Sequence, residues 1–169
     1  MDPTMSSIFA LAAQVAEREG LLVYDIEFAT SHGGRTLRVM IDRSIGSVSV
    51  DDCERFSQGL SLLLDVEDVV PGSYSLEVSS PGLERPLKLP WHFERAVGHK
   101  IWVKTREPLR HYGVEERGVC NGKTWSVTLD ACSPDTIEVQ GVRIPFADIE
   151  KAHLIFEIVK GEKKSLHKR

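Results

Sequence analysis

The sequence predicts an α+β protein of two small domains. A two-layer α/β sandwich of order α-β-β-α-β is expected over residues 1–88, and a small all-β barrel over residues 89–159. Three observations carry this. The apolar residues of the first half switch between helical and strand periodicity. Beyond residue 100 only short period-two runs remain. Between the two patterns lies a stiff segment with two prolines, Leu76–Leu87, reading LEVSSPGLERPL. A chain of 169 residues suits one medium domain or two small ones. Each half alone would bury only about 60% of its unfolded surface, so contact with the other half or a partner would support it.

Taken in order, Ile8, Leu11, Ala12 and Val15 fall at i, i+3, i+4 and i+7. They mark one face of a helix, with Ser6 or Ser7 as expected N-cap and Gly20 as stop. Leu22, Tyr24, Ile26 and Phe28 alternate with Val23, Asp25 and Glu27 as in a half-buried strand. Ser31-His32-Gly33-Gly34 reads as a turn into a second strand, Leu37, Val39 and Ile41. Ser49 with Asp52 three residues on resembles a capping box, Asp standing for the usual Glu. Cys53, Phe56, Leu60 and Leu63 then mark a second amphipathic helix. Pro71-Gly72 breaks the chain before a third strand at Tyr74, Leu76 and Val78.

After the stiff segment, Pro90 at N1 starts a short helix around Trp91–Val97 that ends at Gly98. Five short strands follow: Ile101–Thr105, Trp125–Leu129, Ile137–Val139, Val142–Ile144 and Ala152–Phe156. Ser133-Pro134-Asp135 and Phe146–Ile149 are read as turns, and residues 107–123 as a long charged loop. Five strands in so short a stretch suggest a closed barrel. Residues 160–169 are expected to form a basic, disordered tail.

Composition narrows the functional class. No apolar run approaches the ~20 residues needed to span a bilayer, and the N-terminus lacks the basic stretch of a secretory signal. Three cysteines without a C-x-x-C pair argue against a disulfide framework or a zinc site. A cytoplasmic protein without metal or cofactor is expected. Charge is unevenly spread: residues 1–90 carry 14 acidic and 7 basic side chains, a net of −7, and residues 91–169 carry 11 and 14, a net of +3. This asymmetry suits a composite partner with basic and acidic surfaces.

Catalytic signals are weak. Gly118-Val-Cys-Asn-Gly122-Lys123-Thr124 is one residue short of a phosphate-binding loop and precedes a strand, not a helix. The histidines show no metal spacing, and no nucleophile elbow is present. Two acidic clusters stand out. Asp51-Asp52 sits where carboxylates favour a helix N-terminus, whereas Asp65, Glu67 and Asp68 sit at a helix end where they are unfavourable. The second cluster is either a solvated face or a docking surface for a basic partner. Within the stiff segment, Pro81-Gly82 suits the centre of a type II turn, and Pro86 keeps Arg85 extended. The segment is either a rigid connector or a recognition corner presenting Ser79, Ser80, Pro81, Gly82 and Arg85. In the tail, Lys160, Lys163, Lys164, Lys168 and Arg169 are candidates to lie near nucleic acid.

The LEVSSPGLERPL stretch resembles the hallmark of the RimP ribosome maturation factors. Val39-Met-Ile41-Asp42-Arg43 through Val50-Asp51-Asp52-Cys53, and Ile144-Pro145-Phe146-Ala147-Asp148-Ile149-Glu150-Lys151-Ala152-His153-Leu154, are similar to two further family segments. The resemblance implies an RNA-binding-like α/β domain followed by an Sm-like or SH3-like barrel. It also implies a non-enzymatic role in assembly of the small (30S) ribosomal subunit. Such a factor binds free immature subunits, assists folding of the 16S rRNA and helps incorporate proteins, including the basic one of the decoding centre. A monomer without membrane association is expected. One departure is Val127, where the family pattern has Gly, which bears on strand curvature. The rival readings are a stand-alone Sm-like RNA-binding regulator, which would act as a ring, and a small hydrolase, for which no motif is present.

Overall fold

The first helix starts earlier than its serines suggest. In the computed structural model, which describes residues 2–157, Asp2 and not Ser6 or Ser7 is the N-cap, accepting from the Thr4 N–H at 3.1 Å. Pro3 at N1 costs nothing there, because its missing N–H would have no intrahelical partner. Helix α1 (Pro3–Glu19) therefore gains a turn and ends at Gly20, as the pattern predicts. Strands β1 (Leu22–Ser31) and β2 (Gly34–Asp42) form an antiparallel hairpin. Helix α2 (Val50–Glu67) crosses over to β3 (Ser75–Ser79), which pairs parallel to β2. The sheet order is β1-β2-β3, and the element order matches the α-β-β-α-β expectation.

One strand departs from simple alternation. A bulge between Val23 and Asp25 shifts the register of β1. The bulge lets Val23 join Ile26 and Phe28 in the first core while Tyr24 stays buried and Leu22 is exposed. That core is closed by Ile8, Ala12 and Val15 of α1, Leu37, Val39 and Ile41 of β2, and Phe56, Leu60 and Leu64 of α2. On the opposite face of the sheet Glu27, Arg38 and Glu77 stand in one cross-strand row. Arg38 pairs with both carboxylates, at 3.0 and 3.1 Å.

Packing divides the chain into two units between Gly82 and Leu83, within the stiff segment. The second unit begins with Arg85–Leu87, which lies along the edge of a later strand, and continues into α3 (Pro90–Ala96) with Pro90 at N1. Six strands follow among the described residues. They are β4 (Lys100–Thr105), β5 (Thr124–Thr128), β6 (Ala131–Cys132), β7 (Thr136–Val139), β8 (Val142–Pro145) and β9 (Ile149–Leu154). They form two three-stranded sheets, β5-β4-β9 and β6-β7-β8. The expectation of five strands is corrected: Ala131–Cys132 adds a sixth, and the ladders are arranged as two sheets. Phe156 lies beyond β9 and is exposed. The chain between β4 and β5 contains a 3₁₀ turn at Leu109–Tyr112, whose Leu109 is fully buried.

The substituted glycine position is filled without distortion. Val127 is buried in the second core, opposite Ile101, in an unbroken β4–β5 ladder. The same core holds Phe93, Val103, Leu129, Ile137 and Ile144. Among the described residues no helix is long and apolar enough to cross a membrane.

Candidate functional site

The corner residues of the stiff segment fall on either side of the division. Ser79 is the last residue of β3 and pairs with Met40 of β2. Ser80 is exposed and Pro81 is buried. Gly82 has φ +79, the value required at the third position of a type II turn and disfavoured for any residue with a Cβ. On the other side, Leu154 N–H donates to the Arg85 carbonyl and Leu87 N–H to the Ala152 carbonyl, both at 2.9 Å. Arg85–Leu87 thus continues the sheet β5-β4-β9 beyond its edge strand β9. Backbone pairing gives the segment a local structural role that its two prolines alone do not reveal.

Asp65, Glu67 and Asp68 are all exposed at the C-terminal end of α2. Asp68 caps the helix in the left-handed region, φ 47, with its N–H on the Leu64 carbonyl. Burial raises the pKa of the Tyr74 phenol, and the charges of Asp65 and Asp68 raise it further, so both carboxylates act on the same ring. Leu62 and Val66 stand one turn apart on the same helix, 65% and 69% exposed. The cluster is therefore part of a mixed acidic and apolar surface.

At the other end of α2 the Asp52 carboxylate is committed to the fold, while Asp51 is exposed. Asp52 is buried and completes a reciprocal capping box with Ser49. Its oxygens also accept from Arg43 at 2.6 and 3.1 Å and from Arg55 at 2.8 Å. The Arg43 hydrogen bonds, together with those from Ser49, hold this carboxyl well below the usual carboxylate range, against the opposing effect of desolvation.

Two features of the second unit were not visible in the sequence. One is a cleft of about 530 Å³ along β9, lined by Pro86, Leu87, Phe93, Phe146, Lys151 and His153 among others. The other is the outer face of the sheet β5-β4-β9, where Trp102 and His153 stack across strands with ring centroids 5.1 Å apart. Period-two alternation marks which residues of a strand share a face, but not which strands lie side by side, so this pairing had no sequence signal. The tail residues Lys160, Lys163, Lys164, Lys168 and Arg169 lie outside the described residues.

Burial pushes the thiols of Cys53 and Cys132 up, away from the reactive thiolate. Among the described residues no group of three or more His, Cys, Asp or Glu side chains could hold a metal ion. The near-phosphate loop ends in the strand β5, and the Lys123 ammonium donates to the Arg106 carbonyl at 2.5 Å.

Compared with known families, residues 11–84 match the RimP N-terminal domain. The N-terminal unit is thus similar to a RimP N-terminal domain over nearly its whole length. The match spans α1 from Leu11, the whole β1-β2-β3 sheet, α2 and the corner through Gly82. RimP proteins are ribosome maturation factors.

Proposed function

We propose that this chain is a non-catalytic assembly factor for the small ribosomal subunit. It binds free immature subunits, favours one arrangement of 16S rRNA, and assists incorporation of a basic protein of the decoding centre. The observation that carries this reading is the family match over residues 11–84. The charge division supports it: a net of −7 over residues 1–90 suits a basic protein, and a net of +3 over residues 91–169 suits rRNA. A factor of this kind acts by binding one state of the particle more tightly than the others. In this reading the protein works in the cytoplasm as a monomer, and its second unit is a small barrel-like module of the Sm or SH3 kind. Residues 1–88, 89–159 and 160–169 serve as acidic domain, β domain and basic tail.

Co-sedimentation tests the reading. The protein is expected to travel with free small subunits and not with whole ribosomes; equal recovery with both, or with neither, refutes it. Deleting residues 160–169 is expected to weaken subunit binding and flatten its dependence on salt, because fewer counterions are released. Sedimentation of the free protein as a ring would favour a stand-alone RNA regulator instead.

A further inference from the structure

The outer face of the sheet β5-β4-β9 is laid out in three rows. Its middle row is Ser126, Trp102 and His153, in register across the three strands. Two residues along β4 in one direction is the row Thr124, Lys104 and Lys151. Two residues in the other direction is Lys100, opposite Thr128. Each step is about 7 Å, so cations flank a central aromatic pair on both sides. The rings of Trp102 and His153 lie within 19° of parallel. On the other side of Trp102 the neighbour in register is the small, exposed Ser126, which leaves that flank of the indole uncrowded.

The charges of this face do not serve the fold well. Lys104 and Lys151 stand directly opposite each other, and like charges in that position destabilise a sheet. Lys104 is relieved by Glu150 at 3.0 Å, and Lys100 pairs with Glu157 at 3.1 Å. Lys151 has no carboxylate within ion-pair distance among the described residues. Both existing pairs are solvent-exposed, and such pairs are weak enough to yield to a competing anion.

We propose that this face binds single-stranded RNA, with a base stacked on Trp102 and backbone phosphates held by Lys100, Lys104 and Lys151. An acidic peptide would use the lysines but would leave the aromatic row without a role. A nucleic-acid strand uses both, since aromatic stacking and a cationic track together define sequence-tolerant recognition of single strands. The hydroxyls of Thr124, Ser126 and Thr128 are within the same face and can bond phosphates or ribose 2′-hydroxyls. The proposal deepens the assembly-factor reading, naming an RNA-contacting face, and rests on it only for which RNA is met in the cell.

The test is fluorescence anisotropy of the full chain with a labelled, unstructured RNA of about 12 nucleotides, over a salt series. Trp102→Leu is expected to weaken binding by about tenfold. Lys151→Glu is expected to weaken it and to lower the salt slope by about one. That second variant places opposite charges across the strands, so its melting temperature should match or exceed wild type, and a loss of binding cannot be blamed on unfolding. Absence of binding by the wild type overturns the proposal, as does undiminished affinity in both variants. So does displacement of the RNA by polyglutamate of equal charge at equal potency, which would mark a surface for acidic proteins. Co-sedimentation run in parallel separates the two readings. Wild type that binds free subunits but not the oligonucleotide refutes the RNA face alone. Wild type that binds the oligonucleotide but no subunits supports the face and refutes the assembly role.

Discussion

The Asp52 carboxylate accepts hydrogen bonds from Ser49, Arg43 and Arg55, and its burial explains why it needs them. A buried carboxylate must be paired or hydrogen-bonded to stay charged, and here the capping box, Arg43 and Arg55 supply that. Because its folded pKa is depressed, its contribution is present above the unfolded value near 3.9 and is lost as pH falls below that. Asp52→Asn is therefore expected to melt lower than wild type at pH 7, with the gap narrowing below about pH 4; thermal melts across pH 2–7 would show it. At Gly82 the demand is conformational. A Cβ there meets nothing within 4 Å, so the cost of Gly82→Ala is that of the φ +79 backbone alone, about 1–2 kcal/mol, measurable by urea denaturation. Positive φ without glycine occurs at Gln140, φ 48, in the two-residue turn between β7 and β8. Gln140→Asn should stabilise by about 0.5 kcal/mol, since Asn tolerates that region better.

Among the elements, α2 links the core to a candidate surface. Its inner face buries Phe56, Leu60 and Leu64, and truncating Leu60 to Ala should cost about 2–5 kcal/mol. Loss of its cap through Ser49→Ala should cost about 0.5–2 kcal/mol. Its last turn runs against helix electrostatics, with Asp65 and Glu67 near the negative end of the dipole. Replacing Asp65, Glu67 and Asp68 by Lys should therefore raise the melting temperature. If the cluster docks a basic protein, the same triple variant should lose about tenfold or more in affinity for free subunits. Higher stability with unchanged subunit affinity would reduce the cluster to a solvated face. The strands of the second unit behave differently, because their outward residues become a surface only by pairing. Lys104, Trp102 and Lys100 on β4 gain meaning from Lys151 and His153, some fifty residues on.

At the scale of the whole molecule, two separate cores lie within one chain, divided at Gly82 and Leu83. Neither has many residues to bury, which suits a protein that acts while bound to a large particle. The net charges of the two halves differ in sign. In the proposed function the acidic half meets protein and the basic half meets rRNA. Subunit binding is thus expected to weaken with added salt, and less steeply once residues 160–169 are removed.

By itself the sequence determined the order of elements in the first unit, the capping box at Ser49 and Asp52, and the Gly82 turn. These rest on local physics: helical and strand periods, caps, and the backbone limits of Pro and Gly. The division between Gly82 and Leu83 lies within the LEVSSPGLERPL segment, where a stiff turn and a change of periodicity coincide. What local pattern could not decide was anything set by neighbours distant in the chain. The bulge that moved Val23 to the core face, the arrangement of six strands as two sheets and the role of Arg85–Leu87 along β9 belong here. So does the face of Trp102, His153, Lys104 and Lys151. Strand pairing and register are tertiary decisions, since each strand's hydrogen bonds can be satisfied by more than one partner and only the packed core selects among them.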